Sequence, residues 1–408
     1  MKYVRGAACL MMFGLTSCSV GGTDDASVGA IASSGVAPKT STRAQRSNLS
    51  DPNLPRLVNK LKASSRSVIT VVQLGDSHTA ADLFSGEMRR LFQRDYGDAG
   101  IGFIAATPVP GTRYDNVRIT TDKRQWTLVS SRNQHSDQFP LGGYLSLPVS
   151  SRPTVHLETI EPSEQRYRIS TLYQASRSNI LQARDGNTQA RVLPATTGQW
   201  RLSPAINNVH LPVDLTFASN VGIVVGGWNI QSQRTAGVLY SSLGINGATF
   251  DVVDKWQAGW LDTLKALRPD LLIVAYGTNE AYDDSLDLAR YEARLKDKMI
   301  MLRNALPATV FLVTGAPDSV RNKKAIRCED RQANNLRSVI QTQKRVAAQV
   351  NAAFWDWQAF MGGNCAIENW QARELARSDL VHMTAEGYRQ SASALYAYIK
   401  ELLDSVKR

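Results

Sequence analysis

The sequence predicts an α/β protein, a parallel sheet covered by helices on both faces and interrupted by an all-β insert. Three observations predict it. Short β-branched apolar runs alternate with amphipathic helical segments in both outer parts of the chain, the rhythm of a three-layer α/β/α arrangement. That rhythm stops between about residues 106 and 234, where nine of the fifteen prolines fall and short alternating runs replace helical spacing. Finally, 408 residues that are 43% hydrophobic and 20% charged supply about two or three domains of ordinary globular composition. Composition therefore excludes collagen-like, coiled-coil and wholly disordered chains.

The chain opens with Lys2 and Arg5 ahead of an apolar run, Gly6 to Ser17, that is too short to cross roughly 30 Å of hydrocarbon as a helix. It reads as the core of an export signal. Leu15-Thr16-Ser17-Cys18 resembles the lipobox of bacterial lipoproteins, which implies cleavage before Cys18, a lipid on its thiol and a signal spanning 1–18. Ser19 resembles the outer-membrane-sorted class, so the protein is expected in the periplasm, lipid-anchored to the outer membrane. A plain secretory signal with a coincidental Cys18 is the alternative. Residues 19–53, rich in Gly, Ser, Ala and Thr, read as a flexible tether. With Cys9 removed and Cys18 lipidated, Cys328 and Cys365 are left as a pair; export permits a disulfide, and no CxxC spacing suggests a metal site.

The body is expected in three pieces: 54–105, the insert 106–234, and 235–408. Val68 to Leu74 is a nearly continuous β-branched run, the pattern of a strand buried on both faces. Gly75-Asp76-Ser77-His78 follows at once, and Ala80 to Phe92 has helical spacing. After the insert, Val238-Leu239-Tyr240 leads to Gly244-Ile245-Asn246-Gly247. Trp256 to Leu267 is helical, and Leu271 to Tyr276 is a strand ending in Gly277-Thr278-Asn279-Glu280. Leu286 to Leu306 is helical, Thr309 to Val313 a strand, and Gln332 to Ala353 a long helix. The last helix carries Tyr388, Ala392, Leu395, Ile399 and Leu402, with Thr384 as its N-cap.

Ligands of such sheets bind beyond the carboxyl ends of the strands, where Ser77, Asn279 and, before the last helix, Asp379 and His382 are found. These types suit acyl transfer. A serine hydroxyl needs a base, imidazole suits that task near neutral pH, and a carboxylate three residues earlier can orient the ring if the segment is curled. The backbone N–H of Ser77, a glycine N–H and the Asn279 amide could hold the oxyanion. No cofactor and no metal is required. Taken singly, each has an ordinary explanation as a turn former or cap. Asp76, His78, Asp379 and His382 could instead be hard metal ligands, a reading that leaves Ser77 and Asn279 without roles. His135, His156 and His210 lie in the insert and read as surface or core residues.

At these positions the chain resembles the SGNH (GDSL-type) hydrolases. Gly75-Asp76-Ser77-His78, Gly244 to Thr249, Gly277-Thr278-Asn279-Glu280 and Asp379-Leu380-Val381-His382 resemble the four family blocks. The resemblance implies Ser77 as nucleophile, Asp379 and His382 as its partners, and Ser77, Gly247 and Asn279 as oxyanion donors, with Gly244 the fallback for Gly247. Asp76 would stand behind the reacting groups, and His78 either there or against the substrate. Glu280 and His78 depart from the usual pattern without removing a catalytic group. The runs Gly75 to Asp82 and Tyr96 to Phe103 are similar to Gram-negative peptidoglycan O-acetylesterases, which implies a β-sandwich, carbohydrate-binding-like insert and O-acetylated peptidoglycan as substrate. In such a module Trp126, Trp200 and Trp228 would either stack on sugar or fill the core.

The formal charge of +11 favours an anionic partner, and the insert, with thirteen Lys and Arg against eight Asp and Glu, holds only part of it. Export and the lack of a basic-aromatic motif exclude nucleic acid. Acetyl esters of another exported polysaccharide, acetyl transfer, and non-catalytic wall binding remain alternatives.

Overall fold

The computed structural model describes residues 51–406, so the export signal, Cys18 and most of the tether lie outside the described residues. The folded body begins earlier than residue 54. The Asp51 carboxylate accepts the Phe311 N–H at 2.8 Å and pairs with Arg303, and the Asn53 amide donates to the carbonyl of Pro307.

Five parallel strands form the hydrolase sheet, in the spatial order Gly237–Gly244, Val68–Gly75, Leu271–Ala275, Val310–Thr314, Ala353–Trp355. In chain order this is 2-1-3-4-5, so the direction of winding reverses between Val68–Gly75 and Leu271–Ala275. A crevice opens there, at the carboxyl ends. Side chains alternate across the sheet: Ile69, Val71, Tyr240, Ile273 and Leu312 pack under helices Leu54–Lys62, Phe84–Tyr96 and Ala385–Ser405. Val72, Leu74, Leu272, Val274 and Phe311 face helices Trp260–Leu267, Leu288–Ala305 and Leu336–Gln349 on the other side. Burial of both faces explains why these strands read as continuous apolar runs.

The β part is two antiparallel sheets, of seven and five strands. Trp126, Val155, Leu157, Ile169, Phe217, Trp228 and Ile230 fill the space between them as one core, a sandwich. It starts before residue 106: strand Gly100–Ile104 pairs antiparallel with Ile223–Ser232. Gly102 explains the motif around it. Its φ is +94°, and a Cβ there would lie 2.4 Å from the Tyr240 carbonyl oxygen, so only glycine lets this strand press against the edge of the parallel sheet.

Three elements differ from the sequence expectation. The helix expected over Ala80–Phe92 is a short turn, Ser77–Ala80, and a separate helix, Phe84–Tyr96. They are broken at Asp82, whose φ is +50° and whose carboxylate is held by Arg89 and Ser85. The long helix expected over Gln332–Ala353 is shorter, Leu336–Gln349, and Ala353–Trp355 is the fifth strand. Three residues carry no readable period, and a helix-compatible Ala-rich run precedes them. Cys328 and Cys365 are bonded, with Cα atoms 5.9 Å apart. Among the described residues no helix is long and apolar enough to cross a membrane.

Candidate active site

Ser77 opens the short turn immediately beyond strand Val68–Gly75. The Asp76 carboxylate caps that turn by accepting the His78 N–H at 3.0 Å, and the Asp76 N–H donates to the Ala275 carbonyl of the neighbouring strand. This places the hydroxyl at the crevice. It stays half-buried, reachable from solvent.

His382 arrives from the far end of the chain. Its Nε2 accepts the Ser77 hydroxyl at 2.9 Å, and its Nδ1–H donates to Asp379 Oδ2, also at 2.9 Å. This assignment of the ring proton follows from the carboxylate, which can only accept. The other oxygen, Asp379 Oδ1, accepts the N–H groups of Val381 and His382, each at 2.9 Å. A tight curl makes this reach possible: Leu380 sits at φ +59°, a conformation that costs a non-glycine residue roughly 1–2 kcal/mol. Burial of the Leu380 side chain and the bond from the Val320 N–H to its carbonyl hold it there. Burial tends to raise the Asp379 pKa, but the two N–H groups and the imidazole outweigh it and hold the carboxyl below its ordinary range. The pair lies open, with side chains 33% and 47% exposed for His382 and Asp379.

Behind them His78 is buried. Burial first, and the neighbouring His382 second, lower its pKa to about 3, so it is a neutral ring at any working pH. Its Nδ1 meets the Tyr388 hydroxyl at 2.9 Å, and its ring lies 5.2 Å from that of His382. It backs the His382 imidazole by packing.

The second and third blocks meet beside Ser77. The Ile245 N–H donates to the Gly75 carbonyl, fixing the loop after strand Gly237–Gly244 to the end of the first strand. Asn279 donates one amide hydrogen to the Ala248 carbonyl at 2.9 Å, and the second has no protein acceptor among the described residues. Gly247 lies in that loop at φ +67°. Gly244 serves differently: it ends the strand with its Cα pressed against the backbone of Thr79 and Ala80. Glu280 accepts the Phe250 N–H at 2.8 Å and so secures the far side of the same loop, a positioning role that its place in the motif did not reveal.

Such a line of carboxylate, imidazole and hydroxyl beside amide donors can attack an ester carbonyl and stabilise the resulting oxyanion. Comparison with known proteins agrees. Residues 99–214 match a family model described as peptidoglycan O-acetylesterase, N-terminal, and residues 219–390 match the GDSL-like lipase/acylhydrolase family. A solved structure described as a peptidoglycan O-acetylesterase in action is 31% identical, with a TM-score of 0.76, covering 88% of this chain and 99% of its own. The chain belongs to the peptidoglycan O-acetylesterase family of GDSL hydrolases. A family two carbohydrate esterase from Clostridium thermocellum, solved with cellohexaose, is 10% identical with a TM-score of 0.32, covering 70% of this chain and 99% of its own. None of the curated proteins compared with the sequence matches it.

In this esterase the three insert tryptophans are core residues. Trp126, Trp200 and Trp228 are at most 7% exposed, and each indole N–H donates to a backbone carbonyl, of Thr154, Gln138 and Ala106. They present no face to a sugar. His156 pairs with Asp214 at 2.7 Å, His210 lies 3.9 Å from Glu164, and His135 is exposed. Nor do Asp76, His78, Asp379 and His382 converge as ligands: each polar atom of the last two that faces the crevice is committed to the serine line, and His78 Nδ1 points to Tyr388.

Sequence reasoning missed two buried groupings. Arg89, 3% exposed, pairs with Asp82 at 3.0 Å and also with Asp115, tying the turn that follows Ser77 to the start of the sandwich. Asp318, fully enclosed, accepts the Ile367 N–H and the Gln358 amide, each at 2.9 Å, and fixes the segment that carries the Leu380 contact. Only isolated Asp and Arg signals mark them in sequence, with nothing to show that they meet.

Proposed function

We propose that this protein removes O-acetyl groups from muramic acid residues of peptidoglycan by a two-step serine mechanism. The hydroxyl of Ser77 attacks the acetyl carbonyl as its proton passes to His382 Nε2, and Asp379 stabilises the imidazolium that forms. The oxyanion is received by the N–H groups of Ser77 and Gly247 and by the free amide hydrogen of Asn279. Collapse breaks the ester bond, and the sugar hydroxyl leaves with the proton from His382. Water, deprotonated by the same imidazole, then attacks the acetyl-enzyme and releases acetate. The observation that carries this reading is the unbroken line Ser77–His382–Asp379, with both links at 2.9 Å.

Lipidation of Cys18 and the tether that follows would hold the enzyme at the outer membrane, facing the wall, and the net charge of +11 supports attraction to an anionic polymer. Mass spectrometry of muropeptides before and after treatment tests the substrate: acetylated muramic acid is expected to disappear with the active protein and to persist with Ser77→Ala. Persistence under both would overturn the substrate assignment.

A further inference from the structure

One charged group at the crevice belongs to neither the serine line nor the amide donors. Arg132 lies in the turn between strands Trp126–Ser130 and Tyr144–Pro148 of the sandwich, yet its guanidinium covers Gly247. A Cβ built on Gly247 would lie 2.3 Å from one terminal nitrogen of Arg132 and 2.4 Å from its Cζ, so the planar group rests on the glycine Cα. Its backbone is anchored by Lys255 of the hydrolase body and by Gly143 of its own turn. Lys255 donates to the carbonyls of Ser131 and Arg132 at 2.7 and 3.2 Å, and the Ser131 N–H donates to the Gly143 carbonyl at 2.9 Å. The side chain itself is exposed, and none of the ion pairs among the described residues includes it. A guanidinium without an ion-pair partner, on a backbone fixed beside an acyl site, is an acceptor-seeking fork suited to a carboxylate.

We propose that Arg132 forms a carboxylate-binding subsite of the esterase, reading an acid group carried by the alcohol portion of the substrate. This deepens and rests on the peptidoglycan reading above: the peptide stem borne by muramic acid carries free carboxylates, whereas neutral acetylated polysaccharides carry none. The sandwich thereby contributes to specificity through a loop at its edge.

The test uses two small esters of one leaving-group skeleton, 4-acetoxybenzoate and its methyl ester, with the intact protein. The quantity read is the ratio of kcat/KM for the anionic over the neutral ester. Arg132→Gln is expected to lower that ratio by about tenfold, the worth of one charge-assisted contact, with Arg132→Lys in between because the charge survives without the fork. An unchanged ratio in Arg132→Gln, or equal losses on both esters, overturns the proposal, the second by placing Arg132 at the oxyanion. Because the ratio needs no peptidoglycan, a lowered ratio with no release of acetate from peptidoglycan would sustain the subsite and reject the wall substrate.

Discussion

Replacing Gly244 with alanine should impair catalysis without altering any group that reacts. The new Cβ would stand 2.1 Å from the Ala80 nitrogen, 2.6 Å from its Cα and 2.7 Å from the Thr79 carbonyl carbon. All three are backbone atoms. Ordinary contact begins near 3.4 Å, so strand and turn must separate by about 1.3 Å. Gly244 is in register with Gly75 of the first strand, so the four-residue turn that begins at Ser77 is the part that yields. His382 belongs to another segment and does not follow. The 2.9 Å bond from the serine hydroxyl would stretch beyond hydrogen-bonding distance. A misplacement of about 1 Å costs on the order of 10²-fold in rate, and overpacking costs about 1–3 kcal/mol in stability. Steady-state hydrolysis of a chromogenic acetate, alongside a thermal melt, measures both. A Gly244→Ala protein with wild-type kcat/KM would refute the claim that close packing, not chance, requires glycine there. Gly247→Ala is different in kind: its Cβ meets only the Arg132 side chain and no backbone, and its cost lies in holding alanine at φ +67°.

Other outcomes follow from the same geometry. Asp379→Asn should lower kcat on the order of 10³- to 10⁴-fold with little change in melting temperature, because the imidazole loses the partner that fixes its tautomer; a small effect would place the orienting group elsewhere. Asn279→Ala should cost about 10²- to 10³-fold in kcat, the usual worth of an oxyanion donor, and a change confined to KM would argue against that role. Burial raises the Glu280 carboxyl to about 7, above its unfolded value, so its contribution to stability is full below about pH 4 and is lost as pH rises through 7. Glu280→Gln should therefore gain stability relative to wild type as pH rises from about 5 to about 8, read by parallel melts; a constant gap would contradict the buried proton. The Cys328–Cys365 bond closes a loop of 37 residues, so a double serine variant should lose about 4 kcal/mol in denaturant unfolding.

Much of the site is legible in sequence because its groups sit where chain geometry can be read. Ser77 and Asn279 each follow a buried apolar strand, and in an α/β sheet that position alone directs them to the crevice. Asp379 and His382 are readable as a pair only if the intervening segment curls, and the sequence offers no glycine to announce the left-handed Leu380. The last strand escaped because Ala353–Trp355 is three residues long and takes its conformation from pairing with Val310–Thr314. The sandwich begins earlier than its composition shows for a related reason. Gly100–Ile104 is continuous with the hydrolase in sequence, and only long-range pairing with Ile223–Ser232 assigns it to the other sheet. Arg132 shows the same limit at the site itself: the sequence places it in the insert, about 115 residues from Gly247, and only tertiary packing brings the two into contact.

Acetate released from O-acetylated peptidoglycan by the purified protein, compared with its Ser77→Ala variant, tests the central claim most directly. The account predicts steady release by the wild type, none above background from a folded variant, and one acetyl group retained on Ser77 when the wild-type reaction is rapidly quenched. Release by the variant at the wild-type rate, or an acetyl group trapped on another residue, would contradict it.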